Sequence, residues 1–250
     1  MRKTLLATAL MTLGLISTSA AAGEKEFSFA CKEFLAGKKQ FSDTRKGANF
    51  TAGAILELTK TKDCAAAWSA LQKMETIDLS GKGIDDISLL SALMALKELN
   101  VSNNAITTLT GLDGMNQLEK LDMNTNQISD ISLLATIPTL KNVDLANNKV
   151  TDLAPLAKLK DLRQLRLNGN QIEKVGDLDG NKELRKLWLS DNKIKNITPI
   201  SGLPNLEEIA IKKNPITEDG CPTGKTATAK DKEVEVNEKV REVCKAGDWK

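Results

Sequence analysis

The chain has 250 residues, 35 of them basic and 33 acidic; it is 41% hydrophobic, 3% aromatic and contains no histidine. Near-neutral charge points away from a nucleic acid partner. The lack of histidine removes Ser-His-Asp and Cys-His catalysis and every histidine-containing zinc site.

Residues 1–22 read as a secretory signal peptide. Arg2 and Lys3 lead into an apolar run from Leu5 to Ile16, and small residues follow, with cleavage fitting after Ala22 or after Ala20. With that leader set aside, basic and acidic residues are equal in number. No later apolar stretch approaches the roughly 20 residues needed to cross a bilayer, so membrane insertion is not expected.

Residues 23–73 hold all five phenylalanines: Phe27, Phe29, Phe34, Phe41 and Phe50. Phe27, Cys31, Phe34 and Leu35 fall at helical spacing. Cys64, Ala67, Trp68, Leu71 and Met74 form a second stripe after Asp63, a candidate N-cap. The stretch is expected to be a helical N-terminal cap with its phenylalanines buried, and Trp68 and Leu71 are candidates to cover the apolar end of the segment that begins at Met74. The alternative is that the phenylalanines form a binding surface of their own.

From 74 to 216 one unit is written seven times. Asn104 has counterparts at Asn126, Asn148, Asn170, Asn192 and Asn214, each 22 residues on, and Lys82 holds the same register in the first copy. Around each lies the frame L-x-x-L-x-L-x-x-N-x-I, as in Leu118, Leu121, Met123, Asn126 and Ile128. A fixed period of this size predicts a solenoid. The Leu-x-Leu alternation predicts a short strand with its leucines inward. The asparagine amide is expected to pair with backbone groups that would otherwise be buried without partners. After it, apolar residues recur every three, as in Ile194, Ile197, Ile200, Leu203 and Leu206, which suits 3₁₀ segments. Two copies carry proline there, at Pro155 and Pro199.

Residues 217–250 read as a C-terminal cap. A Lys, Thr and Ala-rich stretch from Thr223 to Lys232 is expected to be a mobile loop, and Val236, Val240, Val243 and Cys244 return to helical spacing up to Gly247.

The repeated frame resembles the leucine-rich repeat family, and within it the 22-residue, internalin-like class of exported bacterial proteins; the match runs from 74 to 216. It implies an α/β solenoid with parallel strands on the concave face and 3₁₀ or irregular segments on the convex face. The Asn214-Pro215-Ile216 ending, followed by Cys221-Pro222 and a later cysteine, is similar to the C-terminal caps of such proteins. Departures are Lys82 for asparagine, Asn181 for an expected leucine, and Pro215 after the last asparagine.

Four cysteines in an exported chain favour two disulfides. Seven strands stacked at about 4.8 Å separate the ends of the array by roughly 29 Å, far beyond the ~7 Å Cα limit of a disulfide. Cys31 therefore pairs with Cys64, and Cys221 with Cys244, each bridge contributing ~3 to 4 kcal/mol.

The sequence singles out no catalytic set. Asp177-Leu178-Asp179-Gly180-Asn181 superficially matches a calcium loop, but Lys182 occupies its glycine position and Trp188 its final glutamate position. No metal and no cofactor are expected. The repeats instead offer a rigid face, because the residues between and beside the inward leucines point to the concave side. The middle column runs Asp78, Asn100, Asp122, Asp144, Arg166, Trp188 and Ala210. It is acidic or amide in four copies, then switches to Arg166 and Trp188 with Lys186 beside them.

Trp188 next to Arg166 has the composition of an interface hot spot; the competing reading is a cation–π pair with no partner. Trp188, Arg166, Lys186, Asp144, Asp122, Asn124 and Asn168 are the candidate partner-binding residues. The acidic half would steer a basic partner or keep the face soluble. The resemblance implies recognition of a protein ligand on the concave face; with no catalytic set and a secretory leader, a non-catalytic, monomeric module exported to the periplasm, medium or cell surface is expected. The alternative is a periplasmic scaffold that organises an envelope complex.

Overall fold

Seven short strands stack in sequence order into one parallel sheet, each in register with its neighbour. They are β1 (Thr76–Asp78), β2 (Glu98–Asn100), β3 (Lys120–Asp122), β4 (Asn142–Asp144), β5 (Gln164–Arg166), β6 (Lys186–Trp188) and β7 (Glu208–Ala210). A computed structural model of the protein describes residues 22–36, 46–222, 226–227, 233–234 and 237–247. The leader expected over 1–22 lies outside them, except for residue 22.

The strand leucines and the apolar residues of each outer segment close on one continuous core. Leu121, Met123, Ile128, Leu134, Ile137 and Leu140 are all fully buried or nearly so, and each such side chain contributes about 1.5–3 kcal/mol relative to exposure. The residues flanking the central apolar residue of each strand point outward, which leaves one sheet face to solvent. On the other side, 3₁₀ segments form at Ser88–Leu90, Ser132–Thr136, Ala154–Lys158, Gly176–Gly180 and Thr198–Ile200. The second copy turns differently at Gly111, where φ is +110° and a Cβ would come within 2.1 Å of the Ile87 carbonyl oxygen.

The asparagines do what their chemistry predicts. Asn148 Oδ1 accepts from Ile128 N–H at 3.0 Å, while its Nδ2 donates to the carbonyls of Met123 at 3.0 Å and Leu145 at 3.1 Å. The same pattern recurs at Asn126, Asn170, Asn192 and Asn214. In the first copy, Lys82 cannot act in this way. Its N–H instead donates to Asn104 Oδ1, and its Nζ reaches Glu57 Oε2 at 3.0 Å. The residue before each of these positions is left-handed in every copy: Gly81, Asn103, Thr125, Asn147, Gly169, Asp191 and Lys213.

Asn181, the residue in a leucine's place, is fully buried. Its Nδ2 donates to the carbonyls of Leu156 and Leu159 at 2.9 and 2.8 Å. Its Oδ1 has no partner among the described residues.

The N-terminal end is closed by helices: α1, helical over 22–35; α2 (Lys46–Thr59); and α3 (Cys64–Leu71). Asp63 caps α3 by accepting from Ala66 N–H at 2.8 Å. Phe27 stacks on Trp68 at 5.4 Å, and both side chains are buried with Leu71. The expected burial of the phenylalanines fails for Phe29 and Phe34, which are 50% and 43% exposed. One face of a short helix on a small end cap has room to bury Phe27, Ala30 and Cys31 but not the residues beside them. Phe41 and the side chain of Phe50 lie outside the description. Helix α2 is not predicted by the sequence reading; it packs Ala52, Ile55 and Leu56 into the core.

At the C-terminal end α4 (Glu238–Ala246) packs against β7. Asn237 caps it through Lys239 N–H at 2.8 Å, and Gly247 ends it in the left-handed conformation. Most of the expected loop over 223–232 lies outside the described residues; β8 (Thr226–Ala227), inside it, pairs antiparallel with β9 (Glu233–Val234), just after it. Disulfides join Cys31 to Cys64 and Cys221 to Cys244, one at each end, as the length of the stack requires. Among the described residues no helix is long and apolar enough to cross a membrane.

Candidate functional site: the concave sheet face

The outward column lines an open groove of about 390 Å³ that extends from Thr76 and Asp78 to Arg166 and Trp188. In its first four copies the middle residue has a structural task that the sequence reading did not assign. Asp78, Asn100, Asp122 and Asp144 each accept, through Oδ1, from the backbone N–H two residues on, at 2.9–3.0 Å. These bonds tie off the strand end and hold the side chains in fixed directions. Arg166 and Trp188 have no such oxygen. In the sixth copy the neighbouring Asn168 substitutes, its Oδ1 accepting from Ser190 N–H at 2.9 Å.

Four of the candidate residues form one network. Arg166 Nη1 lies 3.3 Å from Asp144 Oδ2, and its guanidinium sits 4.6 Å from the Trp188 ring centroid. Trp188 Nε1 donates to Glu208 Oε1 at 2.9 Å, and Lys186 Nζ pairs with Glu208 Oε2 at 3.3 Å. Glu208 is the member that sequence reasoning missed. Its signal was its register, one turn beyond Lys186. The indole is thus held from both sides while remaining half-exposed.

Asp122, Asn124 and Asn168 stand outside this network. Asn124 Nδ2 donates to Asp122 Oδ1 at 3.1 Å and its Oδ1 accepts from Thr125 Oγ1 at 2.8 Å, so its polar atoms are used locally. Burial pushes the Asp144 carboxyl above the usual carboxylate range; the charge of Asp122 acts in the same direction, while Ala146 N–H and Arg166 oppose it. The face offers fixed charges, amides and one indole. Among the described residues, no group of three or more metal-binding side chains converges.

The family described as Leucine Rich repeats (2 copies) matches residues 72–114, 95–136, 138–180 and 182–219, together more than half of the chain. The chain belongs to the leucine-rich repeat family. Among solved leucine-rich repeat structures it is similar to an internalin, InlF, of Listeria monocytogenes, at 29% identity and a TM-score of 0.59 over 61% of this chain and 46% of that one. It is also similar to internalin C2 of the same species, at 27% identity and a TM-score of 0.53 over 67% of this chain and 85% of that one. A leucine-rich repeat protein of Leptospira interrogans matches at 25% identity and a TM-score of 0.58, over 62% of this chain and 41% of that one. These place it in the bacterial, internalin-like class. The chain spans less than half the length of the first of these relatives. No curated protein matches it.

Proposed function

We propose that this leucine-rich repeat protein is an exported, non-catalytic module that takes a protein ligand on its concave face, centred on Trp188 and Arg166. Leucine-rich repeats are commonly protein-interaction modules, and the two end disulfides suit an oxidising compartment. The observation that carries the proposal is the Asp144–Arg166–Trp188–Glu208 network. A half-exposed indole held by an ion-paired arginine is an anchor already fixed in place before a partner arrives, so binding orders few side chains.

The test is affinity capture from envelope and culture extracts with the wild-type chain, Trp188→Ala, Arg166→Ala and the double variant. Each single change is expected to weaken capture of a specific protein by more than about 1 kcal/mol with the circular dichroism melt preserved. Undiminished capture by the double variant would sink the assignment. Recovery in the periplasm alone, in a stable assembly, would favour the scaffold reading.

A further inference from the structure

One column of charges runs along the edge of the concave face, at the residue before each strand: Glu75, Lys97, Glu119, Lys141, Arg163, Arg185 and Glu207. Its spacing is fixed by backbone hydrogen bonds, because each carbonyl in the column accepts from the next member's N–H, as Lys141 does from Arg163 and Arg163 from Arg185, at 2.8 and 2.9 Å. Three ion pairs use six of the seven members. Lys97 meets Glu75 at 2.8 Å, Lys141 meets Glu119 at 2.7 Å, and Arg185 meets Glu207 at 3.1 Å.

Arg163 is the member left over. It is exposed, and among the described residues no carboxylate lies within ion-pairing distance of it. Asp161 and Glu183, the acids nearest in sequence register, make no pair with it. Its two column neighbours are both cations, whose own carboxylates lie on their far sides. Strand spacing of about 4.8 Å puts the backbone of Arg163 within one Debye length of about 8–10 Å of each of these two neighbours. The adjacent column adds no compensation, since it reads Asn142, Gln164 and Lys186 there.

A glutamate at 163 would serve the solenoid better, as it does at Glu119, so the arginine breaks the local pattern with no structural return. Such a break marks a functional position. Arg163 immediately precedes Gln164 on β5, the strand that carries Arg166.

We infer that Arg163, flanked by Lys141 and Arg185, is an anion-receiving edge of the binding face that takes a carboxylate side chain of the protein ligand. This rests on the concave-face reading and adds the partner's chemistry: an acidic group placed beside the part that meets Trp188. Arginine suits a carboxylate because its planar fork can donate two parallel hydrogen bonds.

The probe is a synthetic octaglutamate peptide, titrated by calorimetry at low ionic strength against the folded chain, Arg163→Glu, Arg163→Gln, Trp188→Ala and Lys193→Glu. The last is a charge reversal of equal size on the outer side. Arg163→Glu is expected to weaken binding about tenfold or more and Arg163→Gln by less, with Lys193→Glu near wild type. In thermal melts, Arg163→Glu should hold or raise the transition, because the introduced carboxylate lies between two cations.

Equal losses in Arg163→Glu and Lys193→Glu, or a transition several degrees lower in Arg163→Glu, would overturn the assignment. So would tighter binding of a heparin oligosaccharide than of octaglutamate, which would make the ligand a sulfated glycan. Discrimination by Arg163 that survives Trp188→Ala supports the edge. If the native partner is then captured undiminished by the Trp188 and Arg166 variants, it is the concave centre that fails and not the edge.

Discussion

Removing a single asparagine amide from the middle of the stack has a cost that can be counted bond by bond. In Asn148→Ala, the Met123 carbonyl keeps Asn126 Nδ2 at 3.0 Å and the Leu145 carbonyl keeps Asn170 Nδ2 at 2.9 Å. The Ala146 carbonyl keeps Thr125 N–H at 2.8 Å. Only Ile128 N–H, bonded to Asn148 Oδ1 alone, is left buried without a partner. One orphaned group costs about 1–3 kcal/mol and the two lost amide donors about 1 kcal/mol each, giving roughly 3–5 kcal/mol. Asn214→Ala is worse by count. No asparagine follows it, so among the described residues the Ile211 carbonyl, which accepts from Asn214 Nδ2 at 2.8 Å, is orphaned together with Ile194 N–H. The two asparagines are equally buried, at 5% and 7% exposure, so the end variant should lose a further ~1–3 kcal/mol. Equilibrium unfolding in urea, followed by circular dichroism at matched m-values, measures both. A loss below about 1 kcal/mol for Asn148→Ala, or equal losses in the two variants, would refute this accounting.

Thr125, the one β-branched residue at a position where the other copies carry glycine, asparagine, aspartate or lysine, with φ +54°, should stabilise the protein by about 1 kcal/mol when changed to Gly, read as a higher urea midpoint. Asn181→Leu removes a buried carbonyl oxygen without a partner, and the carbonyls it serves already accept from Leu159 N–H and Leu162 N–H. The variant should gain about 1–3 kcal/mol, and a lower melting temperature would contradict this. For Asp144, burial raises the folded-state pKa above the unfolded value. Its protonated form is therefore favoured in the fold, and stability is lost as pH rises through the raised pKa. Asp144→Asn, which can keep the bond from Ala146 N–H as Asn100 does at Ser102, should melt higher than wild type at neutral pH. The difference should vanish below the ordinary aspartate range, and a gap that persists there would count against burial as the cause.

Periodicity is the reason that the solenoid is legible in the sequence and its ends are not. A frame repeated seven times averages out local ambiguity, and the asparagine bonds depend only on that frame. The same period shows which residues share a column, and so it reveals Arg166 and Trp188. What it does not show is which neighbours a side chain prefers. By residue type Asp122 and Asp144 are free charges, but their first oxygen bonds the backbone two residues on. That requires a backbone direction that residue type alone does not state. Glu208 joins the site by reaching back to the preceding turn. The caps have no repeat to lean on. Helix α2 shows apolar residues at 52, 55 and 56 but carries Gly47 and Gly53, which weakens its signal. Aromatic character alone argues for turning Phe29 and Phe34 inward, whereas a small cap buries only the stripe that meets the rest of the fold.

The reach of each asparagine, back to an N–H twenty residues earlier and a carbonyl twenty-five earlier, gives the stack a polarity. A turn is not complete by itself; its open N–H is closed only by the turn that follows it. Each turn is thus bonded by the one after it, and α1, α2 and α3 close the end at which the first turn stands. The last turn is met instead by the C-terminal segment, where Asn237 Nδ2 donates to the Leu203 and Leu206 carbonyls at 3.0 and 3.1 Å and Cys221–Cys244 locks the segment down. Adding or deleting a whole turn would leave this order intact, whereas a break of a few residues would strand every later turn out of step.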